Sequence, residues 1–421
     1  MVKKLVLAIL FFATYAVSAQ NATVSPYSLF GVGELRSVRT VENQSMGGLG
    51  MYTDSIHIHL NNPASLGKLA LTSYTAAISH KEIRLETSDE QQNSSVSTLE
   101  YIAVALPIRF QQMGAAFGIK PYSEMGYSLI NETVNDDGAE VSTQYNGDGG
   151  LNQVFFSTGF RVRRDLHIGA TVNYFFGNLE KSRFQVVEDV LFGTVDQRRS
   201  NVSGFDFNYG LTYTPQFGKN TLFTSVRINT QANLTSDNEQ QIGTLLPETG
   251  QNIEIFDVNL DEDNLRHTFI KIPTTTTLGL GYGEDKHWFV GAEYSFQKYS
   301  EFVNTFMQEN NTEYEDASSY ALGGYWVPDY SAIDSFFNRV TYRAGVRLDN
   351  TGLIVNEKSI ENFGITFGMG IPIGADFSNL NLGFEVGRRG TTMNQLVRES
   401  YFKFSLGLAF NARWFTKRQI N

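Results

Sequence analysis

Cysteine is missing from all 421 residues, which excludes disulfides, thiolate metal sites and cysteine nucleophiles. Proline is scarce, at 9. Long apolar runs are lacking after Ala19, where no stretch offers the ~20 apolar residues of a spanning helix. Basic side chains are outnumbered, 33 against 44 acidic, for a net charge of -11. That balance argues against nucleic acid as a partner, which calls for basic patches. Helical periodicity nearly vanishes after residue 70. No catalytic constellation emerges: serines lack a nucleophile elbow, and the six histidines have no helix-borne carboxylate partners. The sequence points to no enzyme and to no cofactor.

Aromatic residues and glycine are abundant instead, with 32 Phe, 20 Tyr and 38 Gly. The mean hydropathy of -0.22 is that of a water-soluble chain, but it misleads where lipid-facing and lumen-facing residues alternate and cancel. At the N-terminus, Lys3 and Lys4 precede an apolar run, Leu5 to Ala16, and then Val17-Ser18-Ala19. This is the pattern of a signal peptide over residues 1–19, cleaved before Gln20. Gln20 in place of cysteine leaves no lipoprotein anchor. The mature chain is then more acidic still, and is periplasmic, secreted or an outer-membrane barrel.

Alternation with period two decides among these. Phe402, Phe404, Leu406, Leu408 and Phe410 share one face of a strand, with Lys403, Ser405, Gly407, Ala409 and Asn411 opposite. Leu380 to Val386 and Phe205 to Tyr213 repeat the pattern. A strand with one apolar face fits a membrane barrel or a soluble sandwich. Strand length and loop spacing favour the barrel. Fourteen strands are expected near 69–86, 98–110, 113–130, 151–163, 166–184, 200–214, 219–235, 268–283, 286–303, 317–327, 338–349, 362–372, 379–388 and 400–414. Many match the ~9–11 residues that cross a bilayer at a tilt. Long connections (87–97, 131–150, 185–199, 236–267, 304–316, 350–361, 389–399) alternate with mostly short ones, the medium turn 328–337 holding a helical stretch at Ala332 to Phe337. Long external loops and short periplasmic turns are the outer-membrane arrangement. The expected fold is therefore all-β: a 14-stranded antiparallel transmembrane barrel in a Gram-negative outer membrane, both termini periplasmic. Trp288, Trp326 and Trp414 suit its aromatic girdles.

Residues 20–68 read differently from the barrel at 69–421. They carry the glycine-rich run Met46-Gly47-Gly48-Leu49-Gly50, then Asp54-Ser55, then Asn62-Pro63-Ala64-Ser65-Leu66. With the strand number and loop pattern, this run resembles the FadL-type family of outer-membrane transporters for long-chain fatty acids and hydrocarbons. The resemblance implies a hatch inside the lumen, with Asn62, Pro63 and Ala64 as its motif, and a hydrophobic small molecule as ligand. Where that family usually has small residues before the motif, this chain has Ile56-His57-Ile58-His59. The C-terminal third, from Ile365 through Gly383-Phe-Glu-Val-Gly-Arg-Arg-Gly to Asn411-Ala-Arg-Trp-Phe, looks like a branch of such barrels without an assigned substrate.

Other motifs are weaker. His57 and His59 lack the further ligands that a structural zinc requires, so no metal is expected. The acidic stretch 236–267, with Asp261-Glu262-Asp263, lacks the spacing of a calcium loop and reads as a solvated surface loop or as a lipopolysaccharide contact bridged by divalent ions. Alternation points Asp206, Glu293, Arg343, Arg347, Glu385 and Lys403 into the lumen, where their charges sum to zero. Balanced charges suit salt bridges to a hatch, since unpaired charges in a filled lumen are costly. Inward Gly364, Gly368, Gly370, Gly383, Gly387 and Gly407 leave room for an inserted segment. Two functions remain open. One is a passive uptake channel for hydrophobic small molecules. The other is a non-transporting accessory subunit of an outer-membrane complex for protein assembly, export or secretion, with protein partners in the envelope.

Overall fold

The apolar face of each strand points outward. Along the last strand Phe402 and Phe410 are 43% and 42% exposed, while Ser405 and Asn411 on the opposite face are each 4%. A soluble sandwich buries its apolar rows; a wall in lipid exposes them and turns its polar rows inward. The same sense holds for Phe205, Phe207 and Tyr209 against Asp206 and Asn208, and it recurs around the molecule.

The computed structural model of the chain describes residues 23–36, 39–309, 312–373 and 378–413. The signal-peptide reading and Trp414 fall outside the described residues. Fourteen antiparallel strands form one closed barrel. They are β1 (Thr72–Glu86), β2 (Gln91–Arg109), β3 (Met113–Val134), β4 (Glu140–Arg161), β5 (Leu166–Val187), β6 (Gly193–Tyr213), β7 (Asn220–Asn229, continued by Ala232–Leu246) and β8 (His267–Ile272, continued by Thr275–Glu284). The rest are β9 (Trp288–Gln297), β10 (Ala317–Trp326), β11 (Thr341–Val355), β12 (Lys358–Ile373), β13 (Ser378–Arg389) and β14 (Arg398–Ala412). β1 pairs along its whole length with β14, Thr72 opposite Ala412 and Glu86 opposite Arg398, which closes the sheet. Among the described residues no helix is long and apolar enough to cross a membrane.

All fourteen expected strands are present, but several outrun their expected ends. β3, β4 and β5 each reach 22 residues, about twice what a bilayer crossing needs. The expected loops 87–97, 131–150, 185–199 and 350–361 shrink to 87–90, 135–139, 188–192 and 356–357. Above the apolar belt both strand faces are polar, so alternation carries no signal there although pairing continues. Stretch 236–267 is partly strand as well: Gln251–Asp257 pairs with the upper half of β7. The helical stretch expected at 332–337 is instead a single turn, Phe337–Arg339, in keeping with the cost of nucleating so short a helix.

Residues 23–36 and 39–71 pack against the inward faces of the wall. They form a turn at Pro26–Leu29, a two-residue strand Glu34–Leu35, the helical turn α1 (Val41–Gln44) and a 3-10 turn Pro63–Lys68. The wall receives both later turns on glycine. A Cβ on Gly169 of β5 would stand 2.4 Å from the Pro63 carbonyl carbon, and one on Gly159 of β4 would stand 2.3 Å from its oxygen. On the other side a Cβ on Gly345 of β11 would lie 2.2 Å from the Gly47 nitrogen. Gly383 and Gly407 meet Val41 at 3.1 and 3.0 Å, and Gly368 faces Ser45. Backbone thus rests on backbone, which only residues without a side chain permit.

Gly169→Ala and Gly345→Ala should each cost about 1–3 kcal/mol, the usual penalty for overpacking. The urea midpoint of the folded-band gel shift measures this, and protease cutting within residues 39–71 should rise in parallel.

Candidate functional site

The wall is not paired all the way up between β2 and β3. Their ladder runs from Arg109 opposite Met113 to Ile102 opposite Ile119 and stops there. Above it β3 pairs instead with the inner strand, Glu34 opposite Glu124 and Leu35 opposite Ser123. The Arg36 amide extends this ladder by donating to the Tyr122 carbonyl at 2.8 Å. A bulge lies on each side of the seam, at Glu100 in β2 and at Tyr122 in β3. Bulges re-aim side chains, and here Glu100 is turned inward to 3% exposure.

Charges lock the inner segment into this seam. Arg36 bridges Glu100 on β2 at 3.1 Å and Glu124 on β3 at 3.2 Å. Lys403 reaches Glu100 at 2.7 Å. Glu34 takes Lys81 at 3.0 Å and Arg389 at 3.5 Å. Burial alone would raise the Glu34 carboxyl, but Lys81, Arg389 and Arg36 hold it well below the usual range. Further round, Gly50 donates its amide to Glu293 at 2.9 Å, and Arg227 pairs with Glu293 at 2.7 Å. Asn381 donates to Glu42 at 2.7 Å and Thr366 accepts from the Gly47 amide at 2.9 Å.

The residues singled out from sequence are placed as follows. Asn62 is fully buried and donates to the Gly50 carbonyl at 2.9 Å and to Thr212 at 3.3 Å. Pro63 opens its 3-10 turn, and Ala64 is fully buried beneath it. Arg347 and Glu385 meet at 2.7 Å, with Asp349 on the same guanidinium at 3.1 Å. Lys403 and Glu293 join the pairs above. Asp206 accepts from Asn173 at 2.5 Å, and Arg343 donates to Asn381 at 3.1 Å. Glu34, Arg36, Glu100 and Glu124 were not foreseen. Glu100 sits in a bulge, which breaks the parity from which facing was read, and the others belong to an inner segment or to a β3 end buried on both faces.

The half of the lumen nearest the long hairpins is filled by apolar side chains. Val32 of the inner segment packs with Met125, Leu151, Phe175 and Leu234 of the wall and with Tyr299, Phe302 and Phe306 of the connection after β9. Below it a cavity of about 440 Å³ is lined by Arg39 and the paired charges. A larger one, about 1230 Å³, opens at the short-turn end around Asp54, His57, His59 and Lys68. No group of metal-ligating residues occurs among the described residues. The arrangement holds a segment in place; it presents no nucleophile beside a base.

Removing one member of a buried pair costs about 3–5 kcal/mol, because the other charge stays buried. Arg36→Met should therefore destabilise the barrel by about that much, read from urea unfolding in lipid vesicles, and adding Glu124→Gln should recover part of the loss. A second expectation concerns pH. His57 contacts Asp54 at 2.5 Å. Burial would lower the imidazole, but Asp54 more than offsets it, so its pKa stands above the ordinary value. Its stabilisation is complete below about pH 6.5, the unfolded-state value, and is lost as pH rises through the raised folded value. Asp54, held below the usual carboxylate range despite burial, loses its share only in strong acid. Hydrogen exchange at residues 54–59 should quicken between pH 6 and 9, and Asp54→Asn should abolish that dependence.

Solved structures with a similar fold include hydrocarbon channels and transporters. The chain is similar to the CymD monoaromatic hydrocarbon channel, with a TM-score of 0.58 and 13% identity over 92% of this chain and 100% of that one. It is similar to the Pseudomonas putida toluene transporter TodX, with a TM-score of 0.58, 15% identity and coverage of 92% and 100%. A Pseudomonas aeruginosa FadL homologue follows with a TM-score of 0.57, 11% identity and coverage of 90% and 99%. At such identities the likeness is one of fold, that of the outer-membrane FadL-like barrel. No curated protein matches in sequence. The BamG family model matches residues 1–421, and the chain belongs to the BamG family.

Proposed function

We propose that this chain is a non-transporting barrel that serves as an accessory subunit of an outer-membrane complex for protein assembly, export or secretion. The observation that carries this reading is the locked lumen. Both turns of the inner segment rest on wall glycines, and buried pairs tie Glu34 and Arg36 to four different strands: β1, β2, β3 and β13. Freeing the segment would strand several buried charges at once, each at several kcal/mol. A gate that must open at every passage is poorly served by such a lock. In this reading Asn62, Pro63 and Ala64 and the inward charges at Asp206, Glu293, Arg343, Arg347, Glu385 and Lys403 are structural, and residues 20–68 are a permanent hatch. The short turns and both termini face the periplasm, following the loop asymmetry of such barrels. The outer surface meets membrane lipid and lipopolysaccharide.

A second reading is passive uptake of a hydrophobic small molecule. It is favoured by the fold shared with hydrocarbon channels and by the apolar cluster in the outer half of the lumen. Native-membrane purification followed by mass spectrometry separates the two. The accessory reading expects stoichiometric protein partners that survive detergent and no bound lipid in the lumen. A lone barrel carrying an apolar ligand would overturn it in favour of uptake.

A further inference from the structure

Most luminal charges near the seam are paired, but the cations at the short-turn end are not. Lys68, Arg161, Arg164, Lys286 and Arg343 all line the 1230 Å³ cavity. None of the five forms an ion pair with any described residue: Arg343 donates to Asn381, Lys68 donates to the Thr53 carbonyl at 3.5 Å and lies over the Phe223 ring, and Lys286 lies over the Tyr330 ring. Four acids share the cavity. Asp54 is engaged by His57, and Glu42 accepts from Asn381, which leaves Asp165 and Asp285 against these five cations and Arg413. His59 sits at the floor, 6% exposed, with neither ring nitrogen bonded. Burial takes its imidazole down to about 4, so at neutral pH the ring is uncharged and has one N–H to donate. Lys68, brought down to about 8 by burial, still carries its charge there. A buried donor without an acceptor is costly in the empty site; Lys68 and Arg343 are half-buried, while Arg161, Arg164 and Lys286 stand exposed around them, so an anionic guest meets both the donor and the positive charge.

We propose that this basin binds a carboxylate-rich peptide segment of a partner protein, held by Lys68, Arg161, Arg164, Lys286 and Arg343 and by a hydrogen bond from His59. The proposal rests on the accessory-subunit reading and deepens it. A cavity of about 1230 Å³ exceeds what one small anion fills and accommodates several residues. Its rim is built from turns, at Gln111, Arg164, Asp165, Gly218 and Lys286, so a chain can enter from solvent. The excess of positive charge stands against a chain whose overall charge is -11, which makes the basin the place where an acidic segment is attracted rather than repelled.

The test titrates the purified full-length barrel, in detergent, with a fluorescein-labelled ten-residue Glu-Gly peptide and reads anisotropy. A Lys-Gly peptide of equal length and inorganic phosphate serve as competitors. Saturable binding is expected for the Glu-Gly peptide only, weakening steeply with salt. Arg161→Glu with Arg164→Glu should weaken it at least tenfold, and His59→Ala several-fold. Lys358→Glu, a charge reversal at the long-hairpin end of the barrel, should leave it unchanged. Gel mobility of the folded form confirms that each variant is native. Equal binding of the Lys-Gly peptide, indifference to the Arg161/Arg164 reversal, or full displacement by low-millimolar phosphate would each overturn the proposal. The outcome is independent of co-purification: a barrel that brings down partners yet ignores the acidic peptide refutes this site and spares the accessory reading.

Discussion

The Arg36 guanidinium, held between Glu100 on one strand and Glu124 on the next, is the constraint on which the rest depends. β2 and β3 part company above Ile102, and an open seam exposes backbone donors and acceptors that lipid cannot satisfy. The inner strand Glu34–Leu35 fills the β3 side of that gap, and the arginine beside it ties the patch to both edges. Closure of the wall and occupation of the lumen are therefore one event. The segment that plugs the barrel also completes it, and the glycine seats on β5 and β11 let it lie close enough to do so.

That coupling bears on function. A hatch whose removal takes Arg36 from Glu124, and Glu34 from Lys81 and Arg389, is held by energies comparable to the whole stability of a domain. The apolar cluster around Phe302 and Phe306 closes the other end. What remains open is the short-turn face, where the positive charges are left unmatched. The lumen is thus closed at the long-hairpin end and open at the short-turn end.

Much of the barrel was legible in the sequence because alternation reports one-sided burial. Phe402 to Phe410 marks a wall strand whatever surrounds it, and long strands with uneven connections say that the surroundings are lipid. Where both faces are polar, as in the upper ends of β3, β4 and β5, the same rule is silent and strands pass for loops. Arg347 and Glu385 could be placed because each lies at a regular inward position. Glu100 could not, since a single inserted residue at the bulge reverses its facing. Arg36 and Glu34 lie outside any repeating element, and nothing local announces that a two-residue strand will pair with β3. The unpaired cations of the basin come from turns, from strand ends and from the inner segment, far apart in the chain, so only the fold brings them together.

The most direct test of a permanently seated hatch uses the lack of native cysteine. Ser45 Oγ lies 3.1 Å from where a Gly383 Cβ would stand, a spacing suited to a disulfide. A Ser45→Cys/Gly383→Cys barrel, oxidised to full cross-linking, should complement a deletion strain as well as its reduced form does. Function lost on oxidation and regained with reductant would show that the segment must move, and would contradict the account.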